Sequence, residues 1–174
     1  GYKETTSKKT DGSRSHFFVD SNFNFSHDNS YESSLSLKIQ RTSNDTYFRV
    51  HDIDTKFVDS DKTNLENQLN YNFSKDDMYL NVSTTAYENL RKENGKRYEY
   101  ILPNIIFGKS FFSEKFGNFD FKTNTLYRNY ETNKHVASVT NDLLWNPLST
   151  ISKNGIINSF QGVIKNTNYD AENT

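Results

Sequence analysis

Residues able to carry chemistry are few in this chain, and their spacing suits no familiar reaction. The tightest group of carboxylates, Asp52, Asp54, Asp59 and Asp61, has the oxygen-rich character that calcium prefers. A helical calcium loop also needs a glycine at its sixth position and a bidentate glutamate at its twelfth. Counted from Asp59, those places hold Asn64 and Asn70, so the segment reads as a solvated acidic loop. His16, His27, His51 and His135 lack the HxxxH spacing that sets two imidazoles on one helix face. There is no cysteine nucleophile and no G-x-S-x-G elbow, and the glycines are scattered without a phosphate loop. A glycosidase needs two carboxylates at a fixed separation, which sequence alone does not set. The expectation is a protein that is not an enzyme and uses no cofactor and no metal.

The other chemically capable set is aromatic, with 14 Phe, 11 Tyr and one Trp. Such side chains serve as a sandwich core, a stacking platform for sugars, or the lipid-facing band of a membrane barrel. Only 33% of residues are hydrophobic and 25% are charged, yet 15% are aromatic, which fits sheets with one wet face better than disorder. A net charge of −1, without a basic stripe, argues against nucleic acid as a partner. No run approaches the roughly 18 apolar residues of a spanning helix, but a barrel strand needs only about 9 to 11 alternating ones.

Stepping along the chain shows which elements position these residues. In "LENQLNYNFSKDDMYLNVSTTAYENL", Leu65, Leu69, Tyr71 and Phe73 share one parity, and Met78, Leu80 and Val82 share one face after the turn "SKDD". Glu66, Gln68, Asn70, Asn72, Asn81, Ser83 and Thr85 take the other face, giving the period of two of half-buried strands joined as a hairpin. The unit recurs: Phe17, Val19, Phe23 and Phe25 align, as do Tyr31, Leu35, Leu37 and Ile39, and Phe119, Phe121 and Tyr127 alternate with Asp120, Lys122, Asn124 and Arg128. A last pair is expected at "HVASVTNDLLW" and "GIINSFQGVIK". Pro103, inside a strand-like run, implies an edge, a bulge or a bend.

About nine or ten strands with short connections, and no convincing helical period, predict an all-β fold, an antiparallel up-and-down meander. Strands of about ten residues exceed the usual five or six, and no segment offers a second apolar layer. Both features favour part of a large transmembrane outer-membrane β-barrel, with lipid as the missing layer. The group Leu65, Leu69, Tyr71, Phe73, Met78, Leu80 and Val82 would then face lipid. The group Glu66, Gln68, Asn70, Asn72, Asn81, Ser83 and Thr85 would face a hydrated lumen. The chain starts at Gly1 and stops within polar "KNTNYDAENT", so residues 1–174 read as an internal fragment, with an export signal expected upstream.

The stretch from "RTSNDTYFRV" through "LNYNF...MYLNVSTTAYENL", with a strand ending in Asp45, Tyr47 and Phe48, resembles the barrel domain of the LptD family, also called OstA or organic solvent tolerance proteins. "RYEYILPNIIFGKSFF", where Leu102 precedes Pro103, and "GNFDFKTNTLYRNY" extend the resemblance over roughly residues 12 to 145. It implies the N-terminal part of a very large barrel in the bacterial outer membrane. The implied function is lipopolysaccharide transport and insertion into the outer leaflet. The implied partners are lipopolysaccharide, outer-membrane lipids, an LptE-like plug lipoprotein and periplasmic bridge proteins. Alternatives are another outer-membrane barrel, a porin or an uptake receptor, and a secreted carbohydrate-binding or adhesin module.

Overall fold

Alternating side chains leave every second residue free to pack on one side of a strand, and consecutive hairpins then stack into a sheet. A computed structural model describes residues 15–27, 31–52, 54, 63–131 and 133–173. The long strands are β1 (His16–His27), β2 (Tyr31–Thr42), β3 (Asn64–Lys75), β4 (Met78–Asn89), β5 (Tyr98–Ser113), β6 (Gly117–Tyr130), β7 (Lys134–Asn146) and β10 (Gly162–Glu172). They form one eight-stranded sheet in the order β1-β2-β3-β4-β5-β6-β7-β10, antiparallel throughout. The meander is therefore as expected. It is not closed into a barrel: β1 and β10 are its two edges. β8 (Thr150–Ile151) and β9 (Ile157–Asn158) make a separate small hairpin inside the β7–β10 connection. Among the described residues no helix is long and apolar enough to cross a membrane, which says nothing about strands that cross.

The polar tail is strand, not an unstructured end. Lys165 to Glu172 lie within β10, and the expected strand "GIINSFQGVIK" is split, Ile157–Asn158 forming the short β9 and "GVIK" opening β10. Backbone pairing to β7 carries β10, and its side chains show no apolar period to announce it. The chain around Asp45, Tyr47 and Phe48 also differs from the strand end expected there. β2 stops at Thr42, and Tyr47–His51 form a short helix, α1. Asn44 causes the break, because its Oδ1 accepts from both the backbone N–H and the hydroxyl of Thr46 at 3.0 Å, turning the chain off the sheet.

Among the described residues, only Phe48, Leu65 and Leu90 are fully buried apolar side chains, and they cluster with Phe18 and Tyr47 at one corner. Leu65 is thus a correction. It shares the parity of Leu69 but is 0% exposed and packs inside the chain, with no surface to offer lipid.

Pro103 sits in an interior strand, so the edge option falls and the bulge holds. Between Ser83 and Thr85 of β4, and between Arg128 and Leu126 of β6, β5 carries one residue more than either neighbour, at Leu102 and Pro103.

Candidate functional site

The register decides which side chains share a face, because directly opposed residues in antiparallel strands point the same way. Leu69 opposes Thr84, Tyr71 opposes Val82, Phe73 opposes Leu80 and Lys75 opposes Met78. Gln68 opposes Thr85, Asn70 opposes Ser83 and Asn72 opposes Asn81. The two sequence-derived sets fall on opposite sides of the hairpin, with Leu65, opposite Glu88, on the side of Leu69 but covered. Through the β2 and β5 pairings the apolar side continues with Leu35, Leu37, Ile105 and Phe107, and through β6 and β7 with Phe121 and Leu143.

Aromatic rings mark both ends of this apolar side. Toward the β5–β6 turn, Phe111 stacks on Phe119 at 4.8 Å and Phe119 on Trp145 at 6.1 Å, a row across three strands. Trp145 Nε1 donates to the Phe116 carbonyl at 2.6 Å, which holds the indole at the strand end. At the opposite end Tyr98 stacks on Tyr100 at 6.2 Å and Tyr127 on His135 at 5.8 Å. The apolar side chains between these rows remain partly open to solvent, with Leu69 at 45% and Phe23 at 52% exposure.

The polar side of β1–β4 is an amide and hydroxyl network. Asn81 Nδ2 donates to Asn70 Oδ1 at 2.7 Å and to Asn72 Oδ1 at 2.6 Å, and Asn72 Nδ2 donates to Ser34 Oγ at 3.3 Å. Gln68 Nε2 donates to Thr85 Oγ1 at 3.4 Å, Ser36 Oγ to Asn22 Oδ1 at 3.3 Å, and Lys38 pairs with Glu66. Ser83 and Thr85 are buried in this network. A groove of about 520 Å³ runs along its end, lined by Asn24, Glu32, Ser34, Asn72, Tyr79 and Asn81. Tyr79 lies across Gly108 of β5, where a Cβ would overlap its ring, so the glycine lets the aromatic lie flat. From β5 onward the side loses its purity, since Ile101, Ile106, Leu126 and Leu144 share it with Arg128, Asp120 and Lys122. The side is mostly polar over the first four strands, Phe18 and Tyr79 apart, and mixed beyond them.

Arg97, which no spacing rule singled out, organises the corner. Its guanidinium donates to Glu88 Oε1 at 2.7 Å from Nε and to Asp45 Oδ2 at 2.9 Å from Nη1, joining two connections across the strand ends. The Arg97 hydrogen bond holds the Asp45 carboxyl below the usual carboxylate value, against the opposing effect of its burial. The Asp45 bond in turn raises the already high basicity of Arg97, with Glu88 adding to it. Of the candidate calcium residues, Asp59 and Asp61 lie outside the described residues, and Asp52 ends α1 in the left-handed region at φ 47°. Among the described residues no three acidic or imidazole side chains converge as a metal site would require.

The arrangement is an antiparallel sheet with an apolar, aromatic-rimmed side and, over its first four strands, an amide-rich side. Comparison with protein-family models, curated proteins and solved structures gives no match for the chain.

Proposed function

We propose that this chain is a stretch of wall in a large outer-membrane β-barrel that moves lipopolysaccharide and delivers it to the outer leaflet, without covalent chemistry. The observation that carries the reading is the register, which runs one apolar side through β2 to β5, continued by Phe121 and Leu143 on β6 and β7, between two sets of aromatic rings. The rows are spaced as a bilayer requires. The ten ladder steps from Tyr100 to Phe111, one residue being taken up by the bulge, span about 33 Å at ~3.3 Å per residue. At a strand tilt of about 40° that is about 25 Å of height, the apolar band of an outer-membrane barrel. Closure by further strands would satisfy the backbone groups at both edges, as hydrocarbon demands. In this reading Leu69, Tyr71, Phe73, Met78, Leu80 and Val82 meet lipid, and the amide network lines a wet lumen that sugars pass. The transport itself rests on the resemblance to LptD-type barrels, as do the plug lipoprotein and periplasmic bridge proteins as partners.

The test is depletion of the protein that carries this chain in its own cell. Loss of surface lipopolysaccharide, with the unfolded chain inserting into vesicles on dilution, supports the reading. Insertion and ion conductance without a lipopolysaccharide phenotype turns it to a porin or uptake receptor. A second reading has its own observation in the groove beside Tyr79, whose aromatic wall and lining of Asn24, Asn72, Asn81 and Glu32 suit a sugar. A chain that stays monomeric in water without detergent and binds a neutral oligosaccharide through Tyr79 would favour that secreted module.

A further inference from the structure

The β2–β3 ladder stops early. It runs from Glu32↔Ser74 to Lys38↔Gln68, whereas β1–β2 pairing continues to Thr42 and β3–β4 pairing continues to Asn64. Beyond Lys38 the two strands part, and side-chain amides replace the missing rungs. The Gln40 N–H donates to Asn67 Oδ1 at 2.9 Å, and the Glu66 N–H donates to Gln40 Oε1 at 3.0 Å. Bonds of this kind exchange readily with water unless something covers them. Gln40 is nevertheless only 2% exposed.

The cover comes from the chain between the two strands. His16, Phe18 and Gln40 belong by register to the polar side, since Phe18 opposes Gln40 and Asn22 on the same strand bonds Ser36. Phe18 stacks on Phe48 at 5.6 Å, and the Tyr47 hydroxyl lies 3.0 Å from His16 Nδ1. The segment bearing α1 therefore closes over the end of the sheet at the split, touching Phe18 and His16 of the polar side while Phe48 packs on Leu90 and on Leu65, which has the opposite parity. Among the described residues its hold is the Ser43–Ser15 hydrogen bonds at its start, one aromatic plug, the Tyr47 contact and the Asp45–Arg97 pair, on a helix of five residues whose Val50 is 62% exposed.

We propose that residues 43–52 are a strap that closes one end of the polar side over the β2–β3 split, that Arg97 holds it shut, and that its opening regulates access to that side. The inference deepens the wall reading and rests on it for the polar side being the one that meets solute. The ladders on either side of the split do not depend on the strap, so it opens while the sheet stays intact.

Amide hydrogen exchange on the full chain tests this without altering the reporter groups. The Gln40 and Glu66 amides are expected to exchange slowly in the unmodified protein. With Arg97→Gln they should exchange at least about tenfold faster, and Phe48→Ala should have a larger effect. The Tyr71 and Val82 amides of the β3–β4 ladder should not change. Fast exchange of Gln40 and Glu66 in the unmodified protein would overturn the closed strap. Equal acceleration of all amides, or no change in either variant, would overturn the role of the anchors. The measurement needs no membrane, so a chain that keeps this contrast yet never inserts into vesicles sinks the wall reading and leaves the strap standing.

Discussion

At the corner under α1, Phe48, Leu65 and Leu90 are 2%, 0% and 6% exposed, whereas on the sheet Phe25, Leu69 and Phe111 keep 51%, 45% and 45% of their surface open. The side chains are alike in chemistry; what differs is the source of cover. The corner folds part of its own chain over itself, and its stability is internal. Among the described residues the sheet presents a single layer, and no other element covers its apolar side. A region's dependence on its medium can thus be read from whether its burial is complete, and mutations in the two regions should respond differently to lipid.

The largest expected effect is at the corner. Phe48→Ala should cost about 3–5 kcal/mol by loss of a buried aromatic, equally in detergent and in lipid vesicles, as followed by denaturant unfolding. A loss confined to lipid would break the contrast. Leu80→Arg comes next, at about 2–4 kcal/mol if its site lies at mid-bilayer and near zero in a water-exposed sheet. Vesicle-insertion equilibria read this directly, and no penalty there would remove lipid as the missing layer. Arg97→Gln should cost about 1–2 kcal/mol, since its bonds are charge-assisted but Asp45 is half open to water. Asn81→Ala removes two amide bonds on the polar side and should cost about 1 kcal/mol in either medium.

The smallest effect is on acidification. The Arg97 bond depresses the Asp45 carboxyl below its ordinary value of 3.8. The contribution of the pair is complete above that ordinary value and is lost as pH falls through the lower folded one. The protection of the Gln40 amide, its exchange corrected for the intrinsic pH dependence, should fall only in that acid range, and Asp45→Asn should abolish that fall.

Much of the wall was legible because period-two alternation maps onto faces once neighbours pair, and Tyr71 against Val82 or Asn72 against Asn81 needed no more than parity and a short turn. Parity names a side, however, and says nothing of what covers it, so Leu65 looked like Leu69 until α1 was in place. Most of β10, beyond its expected "GVIK" start, escaped notice for a related reason. Its Asn166, Asn168 and Asp170 share a side with Ile164, and an edge strand with no contrast between its sides writes no period into the sequence. Arg97 and Asp45 are 52 residues apart, beyond the reach of any local rule. The helix over residues 47–51 was hidden because one turn of helix is too short to show a period of 3.6.

The extra residue at Leu102 and Pro103 means that β5 is read in two frames. Tyr98 and Tyr100 are even-numbered and Ile105 and Phe107 odd, yet register puts all four on the apolar side. A one-residue deletion at Leu102 or Pro103 would make β5 a regular strand and leave both halves on the sides they now occupy, since each neighbour has one residue where β5 has two. The apparent fault in the strand absorbs the extra residue and so keeps its two halves in phase, and only there can β5 change length by one residue without a second change to compensate.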